Sequence, residues 1–506
     1  MNQRKYAIKN VTTMLFTYIV TVALSFIVRL VFVRKLGSEY LGLNGVFNSI
    51  LSVLAISDLG IESVFSFLLY KPLIENNVES IKNYIKILRR VYNFVGLFIF
   101  ISGLALLPFL PFFIGSQGKQ LDYVPLIYLI LLVNSAASYL FTYNRTILNA
   151  NQRNYIITSI TFVVSTIVSL MQIIGLFVID SMLLYVSLLL ISTLVTNVWI
   201  SKKVLSDYPF LRELPEKGKV DRRSKEILVK NTVGGLSNKL GTIVVFASDN
   251  ILLSMFVNLS MVGLYSNYTL IINSITSLVQ KVMGTLTASI GFVSIENPNK
   301  GIGIFHKLNF NMLTISFFVA PQLFILLRPL VILWLGEKYV LSQLVVILIV
   351  INFVIQISRS PSLIYIDAYG LQWIQKWKSV IESILNIVFS LIGLIVFNLG
   401  LVGILLGTIL STILFVLWYE PYIVFKYALN TNGTKLFIEV FKFLIEKIWI
   451  ILPIFFAYCL TKVISGQGII YIFELGIMNF VSSVVIYFIL FYRKIKFRYV
   501  LSLLKR

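Results

Sequence analysis

Long apolar segments recur along most of the chain and alternate with short polar segments. A helix rises ~1.5 Å per residue, so roughly 20 residues cross a hydrocarbon core of ~30 Å. The segments are apolar on all sides, whereas the strands of a membrane barrel alternate with a period of two residues. The pattern therefore predicts an all-α, polytopic membrane protein with about fourteen transmembrane helices, at 11–33, 43–70, 91–114, 123–144, 155–179, 182–201, 231–256, 262–292, 308–334, 340–366, 379–398, 401–425, 448–465 and 469–492.

A long polar segment and a faint repeat divide these helices into groups. The segment 202–230 contains nine Lys and Arg residues and follows the sixth predicted helix. Gly-Leu pairs begin long helices at Gly42 and at Gly263, and an Asn/Ser-rich apolar run follows each pair. We predict an N-terminal lobe (1–204, helices 1–6), a basic cytoplasmic linker (205–230), a C-terminal lobe (231–430, helices 7–12), and helices 13 and 14 with a basic cytoplasmic tail (431–506). Transporters built from two parallel halves place the substrate path between them.

The basic residues indicate the orientation. The chain is 58% hydrophobic and 13% charged, with a net charge of +22. With the N-terminus inside, the inner segments hold 33 Lys and Arg residues and the outer segments hold 4. This skew predicts that both termini are cytoplasmic. It also assigns the positive charge to topology and anionic lipid rather than to nucleic acid.

Charged residues inside predicted helices are the main functional candidates, because charges at bilayer depth are costly and usually face a cavity or a partner. Arg29 and Asp249 fall at matching depth in the two halves, as do Lys239 and Glu62, and Asp58 and Lys281. We therefore predict Asp58, Glu62 and Asp249 as gating or coupling carboxylates. A structural ion pair or a snorkelling helix end is the alternative for each residue. The full set is Arg29, Asp58, Glu62, Lys239, Asp249, Lys281, Arg328, Arg359, Glu382 and Glu474.

Buried cations and polar side chains suit a substrate with a phosphate head group and sugars. Phosphate oxygens accept charge-assisted hydrogen bonds from Arg and Lys. Amides and aromatic faces of the fourth and eighth helices are weaker candidates for sugar contacts, and helix packing alone is the favoured explanation for each of them. These residues are Asn134, Tyr139, Tyr143, Asn267, Tyr268 and Asn273.

The sequence lacks the motifs that are typical of several kinds of catalytic and metal-binding sites. The chain has no Walker A motif and no Gly-x-Ser-x-Gly nucleophile motif. Its one cysteine, Cys459, and one histidine, His306, give no metal-binding spacing, and we predict that His306 is a solvated loop residue. We predict no catalytic residue, no metal and no cofactor, and thus a protein that is not an enzyme.

Short motifs in both halves carry a resemblance to a known family. They are Ile8-Lys9-Asn10, the turn from Arg34 to Leu43, Ser57-Asp58-Leu59-Gly60, Asn238-Lys239-Leu240-Gly241, Ser248-Asp249-Asn250-Ile251, and the run from Val262 to Tyr268. With the plan of six, six and two helices, the chain resembles a bacterial oligosaccharide flippase of the Wzx type. This family belongs to the multidrug/oligosaccharidyl-lipid/polysaccharide transporter superfamily.

The resemblance implies a function and a set of partners. A Wzx-type protein moves undecaprenyl-diphosphate-linked oligosaccharide repeat units across the bacterial cytoplasmic membrane for capsule or exopolysaccharide synthesis, by alternating access between two lobes. Head-group binding maps onto the cavity cations Arg29, Lys239 and Lys281, and extends to Arg328 and Arg359. The implied partners are the lipid-linked oligosaccharide, membrane lipid, a polysaccharide polymerase and chain-length proteins. Coupling to Na⁺ or H⁺ stays open, since no cation-binding motif of the family matches.

Three other functions stay open. A lipid II flippase of the same fold would differ in its cavity chemistry. A multidrug or cation antiporter would favour acidic cavity residues. A membrane polysaccharide polymerase or ligase would need a long outer loop, and the predicted outer loops are short.

Overall fold

The protein is all-α, as predicted. The computed structural model describes residues 3–55, 61–215, 245, 247–284, 286–287, 290–291, 300–463, 466 and 468–492, without the side chains of 3–8, 61–64 and 67, and these residues contain no β-strand. We number the long helices in chain order: α1 Gln3–Leu54, α2 Ile61–Ile74, α3 Val78–Leu106, α4 Val124–Ala137, α5 Asn154–Val178, α6 Met182–Asp207, α7 247–256, α8 Leu259–Gly284, α9 Gly301–Leu335, α10 Gln343–Ala368, α11 Lys376–Val396, α12 Leu401–Ala428, α13 Gly433–Val463 and α14 Gly468–Phe491.

Eleven helical segments among the described residues are long and apolar enough to cross a membrane. Their positions match the predicted spans 1, 3–6 and 9–14. The chain is therefore a multi-pass membrane protein. The three predicted spans outside this set, at 43–70, 231–256 and 262–292, each include residues that lie outside the described part.

Glycines and caps set where the helices turn and begin. α1 covers the predicted span 11–33 and continues into the span 43–70. It is interrupted at Gly37, whose φ of 83° is readily adopted only by glycine. Gly336, with φ 105°, follows the last residue of α9. The side chain of Asn77 accepts a hydrogen bond from the Ser80 N–H at 3.0 Å and caps the start of α3.

The structure divides into two compact units, Met1–Gly263 and Leu264–Arg506. The predicted boundaries at 204, 230 and 430 stay a prediction, because residues 216–244 lie outside the described part. In the first unit, α1 packs along α5, α5 packs on α6, and α6 packs on α4. Aromatic pairs fill this core: the ring centroids of Phe32 and Tyr185 are 4.8 Å apart, and those of Phe47 and Tyr128 are 5.1 Å apart.

The glycines of the two Gly-Leu pairs in the predicted repeat, Gly42 and Gly263, lie close together within the first unit. A Cβ placed on Gly42 would lie 1.9 Å from the Leu259 carbonyl oxygen, and one placed on Gly263 would lie 2.0 Å from the Ser38 oxygen. Next to this contact, the hydroxyl oxygens of Ser38 and Ser260 are 2.7 Å apart. The contact is reciprocal, so each glycine is small because the backbone of the other repeat passes over it.

The second unit has its core around α9. This helix packs on α10, α13 and α14, while α11 packs on α12 and α12 on α10. Phe305 of α9 lies fully buried among aromatic side chains of three other helices: Tyr365, Phe425 and Phe443. The backbones of α11 and α12 touch at Gly393 and Gly403, where an added Cβ would come within 2.7 Å of the facing chain. Small residues thus allow α11 and α12 to approach closely enough to bury polar side chains between α10, α11 and α12.

Candidate functional site

A cluster of four charged side chains lies buried in the second unit. Arg359 comes from α10, Lys378 and Glu382 come from α11, and Glu420 comes from α12. The side chains of Glu420, Lys378 and Glu382 are 0%, 3% and 5% exposed, and that of Arg359 is 15% exposed. We call these four residues the charge cluster. It lies toward the ends of α10–α12 that the basic-residue pattern places near the cytoplasm.

Glu420 is the centre of the cluster. Arg359 donates to it from two nitrogens, Nε to Oε2 at 3.1 Å and Nη2 to Oε1 at 2.8 Å. Lys378 donates from Nζ to Oε1 of the same carboxylate at 2.7 Å. A bidentate guanidinium–carboxylate pair is among the strongest hydrogen-bonded pairs in proteins. Glu420 therefore joins α10, α11 and α12 through a single carboxylate.

Glu382 is held more weakly. Its Oε1 accepts from Nη1 of Arg359 at 3.3 Å, and its Oε2 lies 3.9 Å from Nζ of Lys378 and accepts no hydrogen bond. Lys378 and Glu382 are one helical turn apart on α11, so both side chains lie on one face of the helix. Two cations and two carboxylates give the cluster a net charge of zero. A neutral, mutually paired arrangement is the form in which charges persist at low dielectric.

Two helices depart from α geometry. α11 ends in a π-helical segment at Ile392–Val396, away from the charge cluster, and α12 contains π-helical segments at Thr412–Val416 and Val424–Ala428. The last two flank the turn that carries Glu420. π-helical turns are rare and occur frequently at functional sites.

The predicted head-group cations occupy different surroundings. Arg359 donates from all three guanidinium nitrogens to the charge cluster. Arg29 is half-buried on α1 beside Tyr185 of α6. Lys281 and Arg328 are exposed on α8 and α9, and Lys239 lies outside the described residues. The geometry thus brings Arg359 into an ion network, and head-group binding by these cations stays a prediction.

The predicted gating carboxylates are described in part. Asp249 is buried on α7, with 4% of its surface exposed. Asp58 and the side chain of Glu62 lie outside the described residues. On the residue after Asp249, Asn250 donates from Nδ2 to the Ser49 hydroxyl at 3.0 Å. The pairing of Arg29 with Asp249 as a gate stays a prediction.

The predicted sugar contacts separate into packed and accessible residues. Tyr139, Tyr143 and Tyr268 are buried, and the Tyr268 hydroxyl accepts from the Leu341 N–H at 2.9 Å. Asn267 is fully buried, and neither atom of its amide has a hydrogen-bond partner. Of the remaining two, Asn134 is half-buried and Asn273 is exposed.

The prediction for His306 is wrong. It lies within α9 rather than in a loop, and its side chain is 23% exposed. Its Nε2 is 2.9 Å from Oε2 of Glu439 on α13. The sequence pattern missed this pair because α13 begins at Gly433, well before the predicted span at 448, and brings Glu439 against α9.

Sequence reasoning also missed the centre of the charge cluster. Arg359 and Glu382 were recognised as membrane charges, but Lys378 fell in a predicted loop and Glu420 was not singled out. Glu420 lies inside the predicted span 401–425, so the rule for charges at bilayer depth applies to it. The available signal was therefore a carboxylate in an apolar span, with the membrane cation Arg359 and the helix-end cation Lys378 in the neighbouring segments.

Comparison with known proteins identifies the fold. No protein-family model and no curated protein matches the sequence. The lipid II flippase MurJ, in an inward closed conformation, has a TM-score of 0.64 at 15% identity and covers 95% of this chain and 99% of its own. An inward-facing multidrug resistance MATE family transporter of the MOP superfamily has a TM-score of 0.58 at 11% identity, covering 87% and 95%. A MOP superfamily transporter from Pyrococcus furiosus has a TM-score of 0.53 at 12% identity, covering 90% and 97%.

Proposed function

The chain has the fold of MOP superfamily transporters, and we propose that it is a flippase for a lipid-linked oligosaccharide. Its substrate would be an undecaprenyl-diphosphate-linked repeat unit, moved across the cytoplasmic membrane for capsule or exopolysaccharide synthesis. The observation that carries the proposal is the likeness to a lipid II flippase over 95% of the chain. The family motifs in the sequence favour an oligosaccharide over lipid II, and the protein performs no covalent chemistry on its substrate.

A multidrug antiporter is the second candidate, because MATE transporters share the fold. A cationic drug needs an available carboxylate in the transport path. Both carboxylates of the charge cluster are already engaged by Arg359 and Lys378. The carboxylates of the charge cluster are therefore not available to a cationic drug, and the two cations of the cluster are equally engaged.

Reconstitution tests the proposal. In vesicles containing labelled lipid-linked oligosaccharide, the wild-type protein is expected to move the label between leaflets, with lipid II and cationic dyes as competing substrates. Arg29→Ala is expected to slow this about ten-fold or more, as the loss of a charge-assisted bond to phosphate would. Arg34→Ala is the matched control, since Arg34 is exposed, and it should leave the rate unchanged.

The competing substrates decide between the candidates. Transport of lipid II alone would assign the protein to peptidoglycan precursors, and efflux of the dyes without lipid movement would make it an antiporter. Equal rates for Arg29→Ala and Arg34→Ala would remove Arg29 from the head-group site while leaving the flippase proposal intact.

Alternating access makes a further prediction at the reciprocal glycine contact. In a Cys459→Ser background, oxidising the pair Ser38→Cys and Ser260→Cys is expected to form a disulfide, because the two hydroxyl oxygens are 2.7 Å apart. The cross-link should stop leaflet reversal, and a reductant should restore it. The single-cysteine variants serve as controls. Full activity in the cross-linked protein would mean that the transport cycle leaves this contact closed.

A further inference from the structure

A groove opens on the surface of the second unit between α12 and the first part of α13. Its volume is about 460 Å³, in the range of small-molecule sites. Trp418 and Tyr422 form one wall, and Phe437, Phe441 and Leu444 form the other. The lining is apolar almost throughout. The groove is distinct from the charge cluster, although both use α12.

The two walls turn their polar residues away from the groove. On α12, Glu420 points to Arg359 and Lys378 in the interior, while Trp418 and Tyr422 lie outward. The Trp418 indole N–H already donates to the Leu414 carbonyl at 2.7 Å. The groove therefore offers aromatic surface and few hydrogen bonds.

α13 has the same division of faces. Glu439 is buried against His306 of α9, while Phe437 and Phe441 are 68% and 62% exposed. In a membrane-spanning segment, such side chains meet acyl chains rather than water. A concave apolar surface of this volume holds one chain in a fixed place, whereas a flat helix surface is covered by exchanging lipid.

One cation marks the end of the groove. Lys426 donates from Nζ to the Tyr422 hydroxyl at 2.9 Å, and its ammonium lies 5.3 Å from the centroids of the Tyr422 and Tyr427 rings. Tyr422 is itself part of the wall. The basic-residue pattern places Lys426 at the cytoplasmic surface, where an ammonium attracts an anionic head group. The neighbouring Lys442 is 3.2 Å from Glu439 and already paired.

We infer that this groove binds one acyl chain of an anionic glycerophospholipid, with the lipid phosphate at Lys426. The apolar walls account for the chain, and Lys426, which contacts the wall residue Tyr422, accounts for the phosphate. A polyprenyl diphosphate fits less well, because its chain is much larger than a groove of about 460 Å³ holds. The bound lipid holds α12 against α13, and α12 carries the carboxylate at the centre of the charge cluster.

Quenching of Trp418 fluorescence tests the inference. A variant keeping Trp418, with the other five tryptophans replaced by phenylalanine, is reconstituted in phosphatidylcholine with increasing phosphatidylglycerol carrying brominated chains. Brominated phosphatidylglycerol is expected to quench Trp418 at lower mole fractions than brominated phosphatidylcholine does. Lys426→Gln is expected to raise the half-quenching fraction about five-fold, the effect of roughly one surface cation. Lys462→Gln is the matched control, since Lys462 lies over the Tyr458 ring at 4.7 Å on α13 and outside the groove wall.

Filling the groove gives a second arm. Val440→Phe adds volume to a lining residue without changing charge and is expected to abolish the preference for phosphatidylglycerol. Native mass spectrometry of the protein with all its tryptophans, with and without Lys426→Gln, repeats the comparison if the single-tryptophan variant does not fold. Equal quenching by both lipids, or no effect of Lys426→Gln, would overturn the inference. Displacement of the brominated lipid by polyprenyl phosphate, but not by other anionic phospholipids, would overturn it in favour of a substrate chain.

Discussion

Glu420→Gln is expected to lower the free energy of unfolding by about 3–5 kcal/mol, the effect of removing one partner from a buried ion pair. The substitution keeps the shape of the side chain and removes its charge. Arg359 and Lys378 would then share only Glu382, whose Oε2 already accepts no hydrogen bond. Thermal unfolding in detergent, followed by the loss of helical signal, measures the change.

A double-mutant comparison separates charge from packing. Arg359→Gln alone should destabilise the protein to a similar degree, because it leaves an excess negative charge. The double variant Arg359→Gln/Glu420→Gln restores neutrality, so its loss should be well below the sum of the single losses. Glu474→Gln on α14 is the control, since Glu474 is exposed, and we expect a change within about 0.5 kcal/mol. Additive losses in the double variant would mean that the charge cluster is not coupled.

Gly263→Val is expected to destabilise the first unit by about 3 kcal/mol, the upper end of overpacking costs. An added Cβ would lie 2.0 Å from the Ser38 carbonyl oxygen, so backbone rather than a flexible side chain has to move. Because the contact is reciprocal, Gly42→Val should have a similar effect. The melting temperature and the rate of leaflet reversal are the two measurements.

The same helix supplies a matched control. Gly284 lies at the end of α8, and among the described residues no atom lies within 4 Å of the Cβ position. Gly284→Val is therefore expected to leave stability nearly unchanged. If Gly263→Val and Gly284→Val melt at the same temperature, the close approach of the two repeats does not stabilise the protein.

Two regions bear on the proposed alternating access. The charge cluster joins α10, α11 and α12 within the second unit, so they can move as one body. The reciprocal glycine contact joins the two repeats in the first unit. At this contact Gly42 and Gly263 each lie directly against the backbone of the other repeat. The proposed cross-link between positions 38 and 260 tests whether this contact opens during transport.

Residue type alone identified some members of the charge cluster and not others. Arg359 and Glu382 were recognisable as membrane charges because any ionisable group in an apolar span is costly. The same rule applies to Glu420, which accepts three hydrogen bonds where Glu382 accepts one. The roles of Arg29 and Asp249 stay predictions, and those of Lys239 and Asp58 concern residues outside the described part.

The sequence by itself determined that the chain is helical and crosses a membrane many times, and its basic residues predict which ends face the cytoplasm. These properties follow from transfer free energies, which add along the chain residue by residue. Only the tertiary structure decided which charges pair, since Glu420 meets Arg359 across 61 residues and His306 meets Glu439 on another helix. Helix rotation and crossing set such contacts, and packing against neighbouring helices fixes both.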